Sequence, residues 1–276
     1  MVAAVQPYVE VDGQAAAPAS WGQLALHSHG HFTVMQVRAG GTRGLRLHLD
    51  RLDSAHRELY GEPLDGELVR ARIRQALPAF SSIAAAGGVP GSAASRSDAL
   101  AVDATVRVIA TDPAGIGPGR LVVAVGPPVE APTAPLRLMS VPYLRPFPHI
   151  KHLGTFGQLE YARLAHRRGF DEALLTGPDG TIAEGARTNL GLLAGETVTW
   201  PDAPCLTGVT MALLQQTTGN VCAPVRLADL TRYDAAVVTN SRGLSPVATI
   251  DDHSFSGSDF ADELVRRYHA IPYDRI

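Results

Sequence analysis

The order of apolar and polar positions divides the chain into strands and amphipathic helices. QPYVEVD (6–12) and FTVMQVR (32–38) alternate partly between apolar and polar residues and are rich in β-branched side chains, which predicts two strands. HLDRLDSAHRELYG (48–61) puts Leu49, Leu52, Ala55, His56 and Leu59 on one helical face, with Gly61 placed to close the end. ELVRARIRQAL (67–77) repeats that spacing through Val69, Ile73, Ala76 and Leu77, and Pro78 predicts the helix end. The small, Gly/Ser-rich residues 84–98 predict a mobile surface loop. Strands follow at 104–110 (ATVRVIA) and 120–125 (RLVVAV), and then GPPVEAPTAP (126–135), whose four prolines and lack of periodicity predict a linker.

Beyond the linker the pattern predicts a strand at 136–144, a helix over about 157–168 ending at Gly169, and strands at 172–176 and 181–183 around the turn GPDG. LGLL (190–193) and TVTW (197–200) read as a hairpin around AGE; a helix starts near 209, AAVVTN (235–240) reads as a strand, and a last helix covers about 258–269. Hairpins in both halves and an irregular alternation of elements predict an α+β chain of two domains, 1–126 and 136–276 joined by 127–135, rather than one doubly wound parallel sheet.

Composition narrows the function classes. A chain of 276 residues that is 45% hydrophobic and 18% charged has the makings of one large or two modest cores and excludes general disorder. A net charge of −3 argues against a nucleic-acid surface. No apolar run approaches the ~18 residues of a membrane helix. MVAAVQPYVEVDG lacks the basic and apolar regions of a signal peptide, so the expectation is a cytoplasmic protein that binds no membrane. Cys205 and Cys222 allow one disulfide but read as two buried thiols. The 24 basic residues include a single lysine, Lys151. Arginine serves wherever positive charge suffices; a lysine amine can also lose its proton and attack a carbonyl.

HLDRLDSA (48–55), Lys151 in HIKHLG, GFDEALLTGPDGTIAEGARTNL (169–190), CLTGVT (205–210) and VTNSRGLSPV (238–247) occur in an order that resembles the class IV, or fold-type IV, pyridoxal phosphate enzymes. That family includes branched-chain and D-amino-acid aminotransferases and aminodeoxychorismate lyase; the resemblance covers about residues 30–250. Each motif alone is weak; the five in sequence, with 33 residues from Lys151 to Glu184, are specific. The resemblance implies a small N-terminal α/β domain, a larger C-terminal domain with a barrel-like sheet, a homodimer, and pyridoxal 5'-phosphate as cofactor.

The implied roles follow the cofactor's chemistry. Lys151 would hold the aldehyde as a Schiff base and then shuttle the substrate proton. Glu184, which read alone is a solvated turn carboxylate, would keep the ring nitrogen protonated. Arg51 would grip the phosphate, helped by the backbone N–H groups of Val209 and Thr210, the Thr210 hydroxyl, and the loop at Asn240 and Ser241. Leu206 would pack on the ring face. Phe32 would wall the substrate pocket, Arg107 would bind a substrate carboxylate, and one of His27, His29 and His31, with His31 preferred, would line the entrance. No carboxylate or cysteine joins these histidines, so no metal is expected. The chain departs from family patterns at Phe156 (tyrosine in branched-chain enzymes), Thr33 (commonly glutamate), Met211 (commonly arginine) and Gly154 (asparagine in many lyases). The implied activity is amino transfer between a small amino acid or amine and a 2-oxo acid. A lyase releasing pyruvate from aminodeoxychorismate is the alternative, and a non-catalytic cofactor- or metabolite-binding protein a third reading.

Overall fold

A computed structural model of the chain describes residues 7–18, 28–86, 102–112, 119–217, 219–257 and 259–276. It is a mixed α/β structure that divides into two compact units. The first comprises residues 1–129, 151–154 and 272–276, and the second 130–150 and 155–271. The short segment carrying Lys151 therefore belongs to the first unit although its neighbours on both sides belong to the second.

In the first unit, strands β1 (Tyr8–Val11), β2 (Gln14–Ala15), β3 (Gly30–Val37), β5 (Ala104–Thr111) and β6 (Arg120–Gly126) form an antiparallel sheet in the order β2-β1-β6-β5-β3. The short β4 (Gly41–Thr42) pairs with β16 (Asp274–Arg275). One sheet face, carrying Met35, Val37, Val106, Val108, Val123 and Val125, packs on Leu52, Val69, Ile73, Leu77 and Phe80 of two helices. These are α1 (Leu45–Tyr60) and α2 (Gly66–Ala86). Helix α1 ends where Gly61 takes φ 76° and its N–H reaches the Arg57 carbonyl, a conformation that costs glycine nothing. Helix α2 corrects the end predicted at Pro78: it runs on to Ala86, because the apolar stripe continues to the buried Phe80 and the Pro78 carbonyl accepts from the Ser82 hydroxyl at 3.0 Å. Residues 84–86 of the loop predicted at 84–98 thus close this helix, and 87–98 lie outside the described residues.

The second unit is built on a curled, half-barrel sheet. Its strands are β7 (Leu136–Pro142), β8 (Glu172–Thr176), β9 (Ile182–Gly185), β10 (Asn189–Ala194), β11 (Thr197–Pro201), β12 (Asn220–Ala223), β13 (Ala235–Asn240) and β14 (Gly243–Ile250). They run in the order β12-β11-β10-β13-β14-β7-β8-β9, with β15 (His253–Ser254) beside β14. Helix α3 (Phe156–Arg167) covers one face through Ala162 and Ala165, against Met139, Val141, Ala173 and Leu175. Leu138, Leu174, Ile182, Leu190 and Val238 form a separate core that includes Leu230 of a 3-10 helix, Leu227–Arg232. Because both faces of β8 are covered, EALLT is buried throughout, as its continuous apolar run requires. Helices α4 (Val209–Gln215) and α5 (Asp259–Ala270) complete the unit.

The expectation of two buried thiols is corrected. Both cysteines are free; Cys222 is exposed on β12, whose pattern carries no buried position, and Cys205 is half-buried.

Candidate functional site

Each unit carries its own set of candidate residues. In the first, the lysine segment adds to the free edge of β3. The Phe32 N–H donates to the Lys151 carbonyl and the Leu153 N–H to the Gly30 carbonyl, each at 2.8 Å, with His31 bridged to His152. Two backbone hydrogen bonds thus fix Lys151 beside Phe32, whose ring centroid is 5.0 Å from the lysine Nζ. Arg107 stands opposite Val34 on β5, on the same sheet face as Phe32, and its guanidinium carbon is also 5.0 Å from that ring. One aromatic ring therefore gathers two cationic side chains.

Strand alternation sends His31 and Thr33 to the other face, against α1. There Thr33 Oγ1 lies 2.7 Å from His48 Nδ1 and accepts from Arg51 Nη2, which is also 3.4 Å from His48 Nδ1. Burial, and then the nearby charges of Arg51 and Lys151, hold the His48 imidazole well below its ordinary range, so it is neutral. His31 and His56 are buried beside the half-buried Tyr60: His31 Nε2 is 3.3 Å from His56 Nδ1, and the His56 and Tyr60 rings meet edge to face at 4.8 Å. Burial, followed by the charges of His56 and His29, pulls His31 down to about 4. His27 lies outside the described residues, and no metal-ligating group of three or more His, Cys, Asp or Glu occurs among the described residues.

In the second unit Glu184 is buried on β9. Its Oε1 is 3.3 Å from Arg145 Nε, with both side chains sealed from solvent, and its Oε2 accepts the Leu206 N–H at 3.1 Å. Arg145 also donates to the carbonyls of Pro148 and Ile150, so one guanidinium ties the carboxylate to the turn that leads into Lys151. Burial works against the Arg145 charge, and the Glu184 carboxylate works for it. Burial, then the Glu184 charge, pushes the Cys205 thiol up to about 11, which keeps it protonated.

Asn189 clamps the loop that carries Leu206. Its Nδ2 donates to the Leu206 carbonyl at 2.7 Å and its Oδ1 accepts from the Gly208 N–H at 3.2 Å. A Cβ at Gly208 would sit 2.2 Å from that Oδ1, so the approach requires glycine. Val209 and Thr210 open α4, and the first N–H groups of a helix have no intrahelical acceptor. The Thr210 hydroxyl donates to the Asn240 carbonyl at 2.6 Å, which joins the Gly208–Thr210 turn to the Asn240–Ser241 loop. Direct bonds thus join Glu184 to Leu206 and Thr210 to Asn240, and Asn189 links the Leu206 carbonyl to Gly208, next to Val209. The departure at 156 is exposed: Phe156 retains 83% of its accessible surface at the start of α3.

Arg145, His48 and Asn189 were not read from the sequence as site residues. Arg145 was hidden among the many arginines of an arginine-biased chain. His48 lies outside the helical face read from the apolar spacing and appears only as the first residue of HLDRLDSA. Asn189 lies inside EGARTNL, four residues past the glycine that follows Glu184, and that motif was its only signal.

Residues 30–250 match the family described as Amino-transferase class IV. No curated protein matches the chain by sequence. Among solved structures, a hypothetical aminotransferase from Mycobacterium tuberculosis in its PLP-bound form is 20% identical, with a TM-score of 0.75 over 96% of this chain and 98% of that one. It has also been solved with alpha-ketoglutarate and PMP. A T.th. branched-chain amino acid aminotransferase, solved with pyridoxamine 5'-phosphate, is 16% identical with a TM-score of 0.75, over 98% of this chain and 94% of that one. A Legionella pneumophila protein described as a putative 4-amino-4-deoxychorismate lyase is 19% identical with a TM-score of 0.72, over 91% and 93%. At these identities the likeness is one of fold.

Proposed function

Because the chain belongs to the class IV aminotransferase family, whose members depend on pyridoxal phosphate, we propose that it transfers an amino group between a small amino acid or amine and a 2-oxo acid. The observation that carries this reading is the position of the single lysine, pinned to the edge of β3 by two backbone hydrogen bonds with its amine over Phe32.

The residues present suit the cofactor. Arg51 offers a guanidinium for a phosphate, and Gly208 leaves the chain bare where α4 begins and the N–H groups of Val209 and Thr210 have no helical acceptor. The Thr210 hydroxyl gives its proton to the Asn240 carbonyl, so these N–H groups are the donors that turn supplies. Glu184, held between Arg145 and the Leu206 N–H, provides a fixed carboxylate to accept from a protonated ring nitrogen. Asn240 and Ser241 would complete the phosphate loop, and Leu206 would pack on the ring. Lys151 would hold the cofactor aldehyde, and its amine would carry the proton taken from the substrate α-carbon. Bound there, pyridoxal phosphate supplies the electron sink. Phe32 walls the substrate side, and Arg107, over the same ring, binds a substrate carboxylate. His31, packed against α1, is assigned no substrate contact. Assembly as a homodimer and a place in the cytoplasm belong to the same proposal.

KHL around Lys151 and the Phe32–Thr33 and Asn240–Ser241 pairs resemble the lyase branch of the family and support one second reading, a lyase that releases pyruvate from aminodeoxychorismate. Purified protein supplied with pyridoxal phosphate is expected to turn yellow, and borohydride to bleach it while fixing a mass adduct on Lys151. Conversion of the cofactor to its pyridoxamine form by an amino-acid panel supports the transaminase. Pyruvate release without an amino acceptor overturns it in favour of the lyase, and protein that stays colourless removes both.

A further inference from the structure

We propose that Thr33 and His48 are positioning residues that aim Arg51 at its anion through a chain of uncharged hydrogen-bond acceptors. The inference rests on the reading of Arg51 as the phosphate anchor and goes beyond it.

The direction of each bond follows from what each group can do. An arginine only donates, so Thr33 Oγ1 accepts from Arg51 Nη2. That leaves the single Thr33 hydroxyl proton for His48 Nδ1, 2.7 Å away. His48 Nδ1 is then an acceptor, which places the imidazole proton on Nε2. His48 Nδ1 also lies 3.4 Å from Arg51 Nη2, so this corner of the guanidinium rests against two acceptors at once. Thr33 and His48 are both buried, one on β3 and the other on α1. His48 and Arg51 are three residues apart on one helix face, so the spacing that buries the imidazole also brings it beside the arginine.

The consequence is electrostatic. The residue after Phe32 is a threonine, which carries no charge. Thr33 fixes the guanidinium without contributing a negative charge, and His48 fixes it as a neutral ring. Neither residue cancels the charge that a phosphate dianion is drawn to. The acceptors orient the donor fork, and the orientation decides how many phosphate oxygens it meets.

The test compares the affinity of the apo-protein for pyridoxal phosphate and for pyridoxal, which lacks the phosphate, by absorbance titration, with thermal stability measured alongside. Thr33→Val and His48→Leu are expected to weaken pyridoxal phosphate binding about tenfold while leaving pyridoxal binding within about twofold. Thr33→Ser keeps the hydroxyl and His48→Asn puts an acceptor oxygen near the place of Nδ1; both are expected to hold the wild-type preference for the phosphorylated form. These conservative variants keep the test decisive if the first pair folds poorly, since loss of the preference in both, with normal stability, overturns the inference. A change in stability with both affinities falling together also overturns it, because that is what a packing role would produce. Arg51→Met separates the two levels. If it abolishes the preference while Thr33→Val and His48→Leu leave it intact, the positioning inference fails and the anchor stands; if Arg51→Met leaves the preference intact, the anchor reading fails and takes the inference with it.

Discussion

The two units hold their charged site residues in opposite ways. In the first, Arg51 rests on a hydroxyl and a neutral imidazole. In the second, Glu184 is met by a full opposite charge and a backbone N–H. Burial accounts for the difference. The Glu184 carboxylate is sealed, and a buried charge without a counter-charge costs several kcal/mol. Arg51 remains half-buried, keeps part of its hydration, and needs orientation more than neutralisation. The sealed carboxylate meets a counter-charge, while the half-buried guanidinium is oriented by a hydroxyl and a neutral ring.

The largest expected effect asks whether charge is all that the first unit supplies. Lys151→Arg keeps the charge and removes the amine. Turnover is expected to fall at least about 100-fold, and borohydride to fix no adduct on the protein. Turnover near wild type would reduce Lys151 to an electrostatic residue like Arg51. Next comes the ion pair of the second unit. Arg145→Met strands the buried Glu184 and frees two carbonyls, with an expected loss of about 3–5 kcal/mol in urea unfolding. Adding Glu184→Gln is expected to return much of that loss, because the stranded charge goes with it. If the double variant is no more stable than the single, the carboxylate draws its support elsewhere.

Much of this was legible in the chain. The strands EALLT and AAVVTN occur where their apolar runs place them, with the same boundaries, because burial on both faces demands unbroken apolar sequence. The family motifs singled out Lys151, Glu184 and Arg51 as candidates. Strand β14 was not legible, since Pro246 within GLSPVATI argues against a central strand. The structure accommodates it because Pro246 pairs with Val237 of β13, while the ladder to β7 begins one residue later, at Val247. Arg145 and Asn189 were illegible for a different reason. Their roles depend on which carbonyls and carboxylates tertiary packing delivers, and no local periodicity encodes that.

Acidity separates the units with opposite signs. His31 is held at about 4 against an ordinary 6.5, so the unfolded chain binds the extra proton first, and stability falls as pH drops from 6.5 towards 4. Glu172, at the start of β8, is pushed up to about 7 from 4.5 by burial, against the pull of Arg187. There the folded state binds the proton first, and stability falls as pH rises from 4.5 towards 7. Each effect reaches about 3 kcal/mol at its far end. In the wild type the two largely offset each other between pH 4.5 and 6.5. Urea unfolding across pH 4–7.5 is expected to show the separate limbs only in variants: His31→Gln removes the acid-side loss and Glu172→Gln the loss on raising the pH. A His31→Gln profile that matches wild type would break the contrast.

The smallest expected effect tests how tightly the second unit holds its loop. Gly208 has φ −69° and ψ 145°, which alanine adopts without strain, so Gly208→Ala brings no backbone penalty. What it brings is a Cβ 2.2 Å from Asn189 Oδ1. Asn189 can turn aside only by giving up its bonds to the Leu206 carbonyl and the Gly208 N–H, and a buried amide left unmatched costs about 1–3 kcal/mol. Asn189→Ala makes the room in advance, so Gly208→Ala is expected to be nearly silent in that background when unfolding is compared across the four proteins. Additive losses would mean that the clash is relieved by moving the chain at 208 rather than the asparagine. The loop would then be a compliant part of the second unit, held less firmly than its three side-chain bonds from Glu184 and Asn189 imply.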